Sequence, residues 1–193
     1  RPDNAYLIVV GDFDQKQFDA WTDKYFGRLA KPSGTIPRVT EVEPERTKEA
    51  RYLTTAPNVP FPGVAITYLG PPSNDADIPA FRIAESILSG GESSRLYQSL
   101  IRTLKIAQQA NLDLELNTEG GRMSLIGIGS AEGTSENLEK ALLAELKKAQ
   151  DSGVTAKELE KAKNQLIAAA IGQRETNDGK AIAIERSVAY LGD

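Results

Sequence analysis

The sequence of 193 residues contains neither cysteine nor histidine. The absence of cysteine excludes disulfides, thiol nucleophiles and thiolate metal sites. The absence of histidine excludes a Ser-His-Asp triad, an imidazole zinc site and a histidine proton shuttle near neutral pH. We therefore predict that this chain carries no catalytic residue and binds no metal or other cofactor by itself.

An excess of basic residues and a long apolar run are also absent. The formal net charge of −4 disfavours nucleic acid as a partner, because phosphate binding requires a basic surface. No apolar run approaches the roughly 20 residues of a membrane helix. Carboxylate pairs do occur, as Asp12 with Asp14 and Asp75 with Asp77. Each pair stands just before a predicted helix, where aspartates usually cap helices and form turns, and we interpret both pairs in that way.

The first 50 residues contain one predicted strand, one predicted helix and a linker. An apolar strand is predicted at Tyr6–Val10 and a helix at Gln15–Leu29, with Asp14 as its N-cap. Aromatic and apolar residues recur along this helix at helical spacing and are interpreted as a core-facing stripe: Phe18, Trp21, Tyr25 and Leu29. Residues 31–50 contain three prolines and many charges without a sustained period, which is typical of a linker.

Two strands and two helices are predicted next. The strands cover Arg51–Thr55 and Gly63–Leu69, and a helix follows from a cap at Asp75 or Asp77. We expect the glycine pair Gly90-Gly91 to end this helix, since glycine readily adopts the left-handed conformation. A further helix starts at Ser93 or Ser94, and its predicted inner face carries Leu96, Leu100 and Leu104.

The remaining sequence predicts a hairpin followed by helices. Residues 110–118 alternate between leucines and polar residues, as does a strand of an antiparallel sheet with one face in solvent. Gly120-Gly121 separates these residues from a second predicted strand. Helices are predicted from Ser135 to Gly153, after the Thr155/Glu158 capping box, and over Lys180–Leu191. Grouped strands and grouped helices indicate an α+β fold, with an antiparallel sheet covered by helices on one face.

Several stretches together resemble the M16 zinc metallopeptidases, the family of pitrilysin, insulin-degrading enzyme and the mitochondrial processing peptidase. "RPDNAYLIVVGDFD" and "KYFGRL" resemble the closing strand and helix of one domain. "VPFPGVAITYLGPPSNDADIPAFRIAESILSGG", "SSRLYQSLIR" and "GVTAKELEKAKNQL" resemble parts of the following domain. In that family the active domain carries an HxxEH zinc motif, which a chain without histidine lacks. The resemblance is therefore to the second, non-zinc domain.

The resemblance implies a domain division and a role. Residues 1–30 would be the closing strand and helix of a preceding domain, 31–50 the linker, and 51–193 a non-catalytic α+β domain that continues beyond residue 193. The parent protein would be a zinc-dependent endopeptidase in which another domain, of the same chain or of a partner subunit, supplies HxxEH and zinc. This domain would close the chamber and help to hold the peptide substrate.

The resemblance also implies candidate substrate-binding residues. Related domains can supply an arginine and a tyrosine that reach the bound peptide, and Arg102 stands in the matching arginine position. The tyrosine expected six or seven residues later is replaced by Gln108 and Gln109, a departure that weakens the implied pair. Gly90 and Gly91 would give a substrate-facing loop its freedom, although a plain helix stop is the alternative. Arg95 is interpreted as structural, either solvated or paired with a nearby carboxylate such as Glu92.

Two other functions stay open at this point. The parent could be a non-peptidase scaffold or partner subunit, which binds a polypeptide or assembles a complex without catalysis. The chain could also be an unrelated α+β domain that dimerises through its sheet. A homodimer and a heterodimer are both open, and the composition suits bacterial periplasm and cytoplasm equally.

Overall fold

A computed structural model of the chain describes residues 1–38, 40, 41, 44 and 46–191. Residues 39, 42, 43 and 45 of the predicted linker lie outside the described residues, as do residues 192 and 193 of the predicted second domain. After a short 3₁₀ turn at Pro2–Asn4, the elements in chain order are α1 (Gln15–Phe26), β1 (Gly63–Gly70), α2 (Ile78–Ser89), a π-helix (Tyr97–Thr103), β2 (Ala107–Glu115), β3 (Gly121–Gly129), α3 (Ser135–Ser152), α4 (Ala156–Gln173), α5 (Asn177–Arg186) and a second π-helix (Ser187–Leu191).

The three strands form one antiparallel sheet with the order β1-β3-β2. The central strand places Leu125 opposite Ile66 of β1 and Leu112 of β2. Leu125 is fully buried, whereas Asn111 and Asp113 on the alternate positions of β2 are exposed. The predicted hairpin and its alternation are therefore confirmed.

Helices cover the apolar face of this sheet. Helix α3 packs against β3 and β1, and α2 packs against β2. Gly127 permits the close approach of α3, because a Cβ atom at this position would lie 3.2 Å from Leu142 Cδ1. The centre of the core consists of leucines that are almost completely buried: Leu88, Leu96, Leu100, Leu112, Leu125, Leu138 and Leu142. This arrangement confirms the predicted α+β fold with helices on one face.

The outer edge of β2 is closed by side chains of α2. The Ser89 hydroxyl donates to the Leu112 carbonyl oxygen at 3.1 Å, and the Leu114 N–H donates to Glu85 Oε1 at 3.2 Å. Unpaired backbone groups on an edge strand invite pairing with another chain. Helix α2 therefore satisfies part of this edge within the chain itself.

The helix caps follow the sequence closely. Asp14 Oδ1 accepts the Gln17 N–H at 2.7 Å, and Asp75 Oδ1 accepts the Asp77 N–H at 2.8 Å. Thr155 and Glu158 form the predicted capping box at the start of α4. These hydrogen bonds confirm Asp14 as a helix cap and Asp75 as a turn former, whereas Asp77, the N-cap residue of α2, makes no side-chain capping bond.

Two predicted strands are wrong for the described chain. Residues 6–10 and 51–55 belong to no strand, and most of their large apolar side chains are exposed, with Tyr52 at 94% and Tyr6 at 77%. Ile8 and Val10 are half-buried. A strand needs a hydrogen-bonded neighbour, and neither segment meets one among the described residues. Arg51 instead forms an exposed ion pair with Glu139 of α3 at 2.7 Å.

The predicted core stripe of α1 is also wrong. Trp21 is 53% exposed and Tyr25 is 61% exposed, and the helix ends at Phe26, so Leu29 lies beyond it. Phe18 is half-buried and contacts the ring of Phe13, with 5.2 Å between the ring centroids. No helix or strand of the described part packs extensively against α1. The spacing correctly predicted an amphipathic helix but not its partner.

The helix after the glycine pair departs from the predicted α-helical period. Leu96 and Leu100 are fully buried as predicted, but Leu104 is 50% exposed. The Leu104 N–H donates to the Ser99 carbonyl five residues earlier, a π-helical bond. Such a turn contains one extra residue, and Leu104 is therefore carried to the surface. Among the described helices, none is long and apolar enough to cross a membrane.

Candidate functional site

Arg95 has the structural role that the sequence predicts, but it is neither solvated nor paired with Glu92. Its guanidinium donates to both carboxylate oxygens of Glu158, at 2.7 and 2.9 Å, and to the Gly153 carbonyl at 2.9 Å. Arg95, two residues before the π-helix, thus binds the first turn of α4 through Glu158, 63 residues away in sequence. The structural interpretation of Arg95 is correct, but its partner is Glu158.

This bidentate pair makes the stability of the chain pH-dependent. Hydrogen bonds from Arg95, and then from the Thr155 backbone, lower the pKa of Glu158 from 4.5 to about 2. A carboxyl whose pKa is lower in the folded state stabilises the fold above its unfolded pKa, and this contribution is lost as the pH falls through the folded pKa. The contribution of Glu158 is therefore complete above pH 4.5 and lost between pH 4.5 and about 2.

Glu158→Gln is expected to lower the free energy of unfolding by about 1–2 kcal/mol at pH 7 and by much less near pH 2. This is below the value implied by the full pKa shift, because the Arg95 and Glu158 side chains are 19% and 30% exposed. Urea denaturation at both pH values measures the difference. Glu160→Gln is the control, since Glu160 is exposed on the same helix and makes no ion pair in the described part of the chain. A penalty for Glu158→Gln that is equal at both pH values would contradict the prediction.

The glycine pair ends α2, as predicted. Gly91 has φ +82°, in the left-handed region. Gly90 has φ −74°, but a Cβ atom there would lie 2.3 Å from the Ser86 carbonyl oxygen, so close approach requires this glycine. Gly90 borders an open cleft of about 570 Å³ between α2, β2 and α4, with Asn111 of β2 and Gln165 of α4 on its other sides.

Arg102 lies in the last turn of the π-helix and is exposed. Its guanidinium makes no hydrogen bond or ion pair with any residue that the structure describes. Its backbone is nevertheless anchored on both sides. Leu100 is fully buried, and its carbonyl accepts the Ile106 N–H at 3.1 Å. Among the described residues, Arg102 is therefore a cation without a partner, on a backbone segment that is held in place on both sides.

Gln108 lies where β2 begins, at a break in register with β3 between Ala107 and Gln109. Its side-chain Nε2 donates to the Gly129 carbonyl at 2.8 Å. This bond leaves one N–H and the amide oxygen of Gln108 available. Gln109 is exposed, and its side chain makes no hydrogen bond within the described part.

The structure brings together only some of the candidate residues. Arg102 and Gln108 lie on either side of the turn that enters β2, whereas Gly90 lies beside the middle of β2, at Asn111–Asp113. The four residue steps from Gln108 to Leu112 extend about 13 Å along the strand. Gly90 and Gly91 are therefore separate from the Arg102 end of the sheet.

Two features beside Arg102 are not predicted from the sequence. Lys105 has φ +56°, which is uncommon for a residue other than glycine, and Ser130 donates its hydroxyl to the Lys105 carbonyl at 2.6 Å. Neither a left-handed lysine nor a hydrogen bond across 25 residues produces a sequence pattern. Only the backbone geometry reveals them.

The donor set of this chain does not fit zinc. Among the described residues, no group of three or more carboxylates could hold a metal ion, and histidine and cysteine are absent from the whole sequence. Protein zinc sites are built mainly from those two residue types. Any zinc of a larger protein would need ligands from elsewhere.

The comparisons with known proteins identify the family. The family model described as the Peptidase M16 inactive domain matches residues 1–166. The chain belongs to this family. The match runs across residues 31–50, and the division into 1–30, 31–50 and 51–193 stays a prediction.

Relatives of this M16 inactive domain agree in fold. The zinc protease PqqE of Helicobacter pylori is 27% identical over 165 residues, which are 84% of this chain and 37% of the relative. The crystal structure of a protease from Helicobacter pylori has a TM-score of 0.84 at 23% identity, and the match covers 94% of this chain and 44% of that chain. A chain of complex III2 from Candida albicans has a TM-score of 0.69 at 17% identity, with 95% and 44% covered. The two structural matches show the fold alone.

The chain spans 37% of the length of this curated relative. The activity, substrates and partners of a whole protein are therefore matters for proposal.

Proposed function

We propose that this M16 inactive domain is the non-catalytic part of a zinc-dependent endopeptidase. It closes the chamber and holds the peptide substrate, while another domain of the same chain or of a partner subunit supplies HxxEH and zinc. Family membership and the similarity to the zinc protease PqqE support a peptidase parent. In this proposal the zinc ligands come from the other domain, and this chain supplies contacts to the peptide.

The single observation that carries the peptide-holding role is the state of Arg102. A guanidinium presents five N–H donors in a rigid fork, and this one is exposed and without a partner among the described residues. A peptide that adds as a strand to the edge of a sheet keeps free carbonyl groups along its other side. Donors on the opposite wall of a chamber would fix the orientation of such a peptide.

Gln108 and the glycine pair complete the proposed contacts. Within the described part of the chain, Gln108 retains one unpaired side-chain N–H beside the Arg102 end of the sheet. Gly90 and Gly91 lie about 13 Å further along β2, a distance that about four residues of an extended peptide would span. The glycines would then contact a different part of the same peptide.

The proposed domain division receives support from exposed apolar surface. Residues 6–10 have no strand partner in the described part, and Trp21 and Tyr25 of α1 are more than half exposed. Both features are expected if residues 1–30 complete a preceding domain. Residues 31–50 would then be the linker, and 51–193 the second domain.

Arg102→Ala in the full-length protein, together with its HxxEH domain, tests the function. We expect kcat/KM for peptide hydrolysis to fall at least about tenfold, equivalent to about 1.4 kcal/mol, mainly through KM because Arg102 would hold the bound peptide. Steady-state kinetics with a quenched fluorescent peptide measure both constants. Removal of zinc by a chelator should abolish hydrolysis, and the isolated 193-residue chain should neither cleave the peptide nor bind zinc stoichiometrically.

Arg122→Ala is the matched control. Arg122 is an exposed arginine at the opposite end of the hairpin, paired with Glu115. Its removal should leave peptide hydrolysis unchanged. A loss below about tenfold for Arg102→Ala would favour a solvated surface arginine.

A second candidate is a non-peptidase scaffold or partner subunit. It is favoured by the similarity to a chain of complex III2 from Candida albicans, and by Gln108 and Gln109 in place of the expected tyrosine. The sequence of the complete protein and of any copurifying partner separates the two candidates. An HxxEH motif with a downstream glutamate supports the peptidase, and its absence from both supports the scaffold.

A further inference from the structure

The backbone that carries Arg102 ends in a strained turn. Lys105 adopts φ +56°, a left-handed conformation that is unfavourable for residues with a Cβ atom. Such conformations persist only where surrounding contacts determine them, and they concentrate at functional sites. The turn, residues 104–106, connects the π-helix to β2 and directly follows the last helical turn, which carries Arg102. The contacts of this turn therefore help to determine the position of the Arg102 backbone.

One loop, residues 129–133, provides these contacts. The Ser130 hydroxyl donates to the Lys105 carbonyl at 2.6 Å, and the Ser130 N–H donates to the Ile106 carbonyl at 3.0 Å. Gly133 packs so closely that a Cβ atom there would lie 2.2 Å from the Ile106 carbonyl oxygen. Both carbonyls of the strained dipeptide are therefore bound by the same serine.

The loop is itself anchored at the end of the sheet. The Gly129 N–H donates to the Pro62 carbonyl at 2.8 Å, and the Gly129 carbonyl accepts from Gln108. Through Ser130 and the adjacent Gly129, the turn is thus hydrogen-bonded to a segment that contacts all three strands. A shift of the turn relative to the sheet would break at least one of these bonds.

We infer that Ser130 is a positioning residue for Arg102: its hydroxyl and its N–H fix the turn at residues 104–106, which holds the end of the π-helix, and thereby direct the guanidinium of Arg102 toward the bound peptide. This inference rests on the proposed peptide-holding function. Ser130 itself does not contact the peptide. It sets the backbone from which Arg102 extends.

A double-mutant cycle in the full-length protein with its HxxEH domain tests the inference. Ser130→Ala removes the hydroxyl and is expected to lower kcat/KM for a quenched fluorescent peptide about three- to tenfold, mainly through KM. Ser130→Thr keeps the hydroxyl and should stay within about twofold of the parent protein. In the Arg102→Ala background, Ser130→Ala should change kcat/KM by less than about twofold, because the group that it positions is already absent.

Ser124→Ala is the matched control. Ser124 lies in the middle of β3, where its hydroxyl is 3.2 Å from the Thr67 hydroxyl. It is about 20 Å along the strand from Ser130. Its loss also removes one hydroxyl hydrogen bond, and kcat/KM should stay unchanged.

The outcomes separate the inference from the function beneath it. If Arg102→Ala lowers kcat/KM but Ser130→Ala does not, or if Ser130→Ala lowers it equally in both backgrounds, the positioning role is overturned and the peptide-holding role stands. If Arg102→Ala has no effect, the proposed function fails, and the inference fails with it.

Discussion

Leu100→Ala is expected to lower the free energy of unfolding of the chain by about 3–5 kcal/mol, whereas Leu104→Ala should lower it by less than about 1 kcal/mol. Leu100 is fully buried in the leucine core, so its truncation removes apolar contacts and leaves a cavity. Leu104 is 50% exposed and leaves none. Urea denaturation followed by far-ultraviolet circular dichroism measures both values on the same chain.

These two leucines form a matched pair because they have the same chemistry and stand four residues apart. Their spacing predicts that an α-helix would bury both of them. The π-helical hydrogen bond from the Leu104 N–H to the Ser99 carbonyl shifts Leu104 to the surface, whereas Leu100 stays buried. Equal losses for the two variants would contradict the π-helix, and a small loss at Leu100 would contradict the assignment of the core.

Local signals in the sequence correctly predicted the parts of the fold that local contacts determine. Asp14 caps α1, Thr155 and Glu158 form a capping box, and the glycine pair ends α2. The β2–β3 hairpin follows from alternation and a glycine-containing connection, with partners close in sequence. In each case the residues that decide the structure lie within a few positions of one another.

The predictions that failed depended on partners distant in sequence or absent from the described chain. Residues 6–10 have strand composition but no strand beside them, and Trp21 has helical spacing but no element that covers it. Arg95 pairs with Glu158, 63 residues away, and not with the nearby Glu92. A propensity identifies what a segment can form, but the pairing is a tertiary property.

In the candidate site, too, the sequence predicts some features and others depend on the tertiary structure. Arg102 is a candidate through resemblance to a family, and only the structure shows that its guanidinium has no partner among the described residues. Its surroundings, namely the left-handed Lys105 and the hydrogen bonds of Ser130, depend on backbone geometry. Serine and lysine are ordinary surface residues in composition, and their sequence contexts do not distinguish these two.

Gly133→Ala is expected to lower the free energy of unfolding by about 2–3 kcal/mol. The new Cβ atom would lie 2.2 Å from the Ile106 carbonyl oxygen and 3.0 Å from Gly129 Cα. Both of these are backbone atoms, so relief requires the turn or the loop to move and not merely a side chain to rotate. Gly172→Ala is the control, because a Cβ atom at Gly172 would meet no neighbouring heavy atom within 4 Å and alanine favours the helix.

The same substitution connects stability to function. In the full-length protein, displacement of the Ile106 carbonyl would disturb the bond from Ser130 and shift the origin of the Arg102 side chain. We therefore expect Gly133→Ala to lower kcat/KM at least as much as Ser130→Ala, while Gly172→Ala changes stability by at most about 1 kcal/mol and leaves hydrolysis unchanged. Chemical denaturation of the chain and peptide kinetics of the full-length protein measure the two effects separately. A Gly133→Ala variant as stable as the parent chain would show that the 129–133 loop changes conformation at little cost in free energy. Such a flexible loop could not hold Arg102 in place.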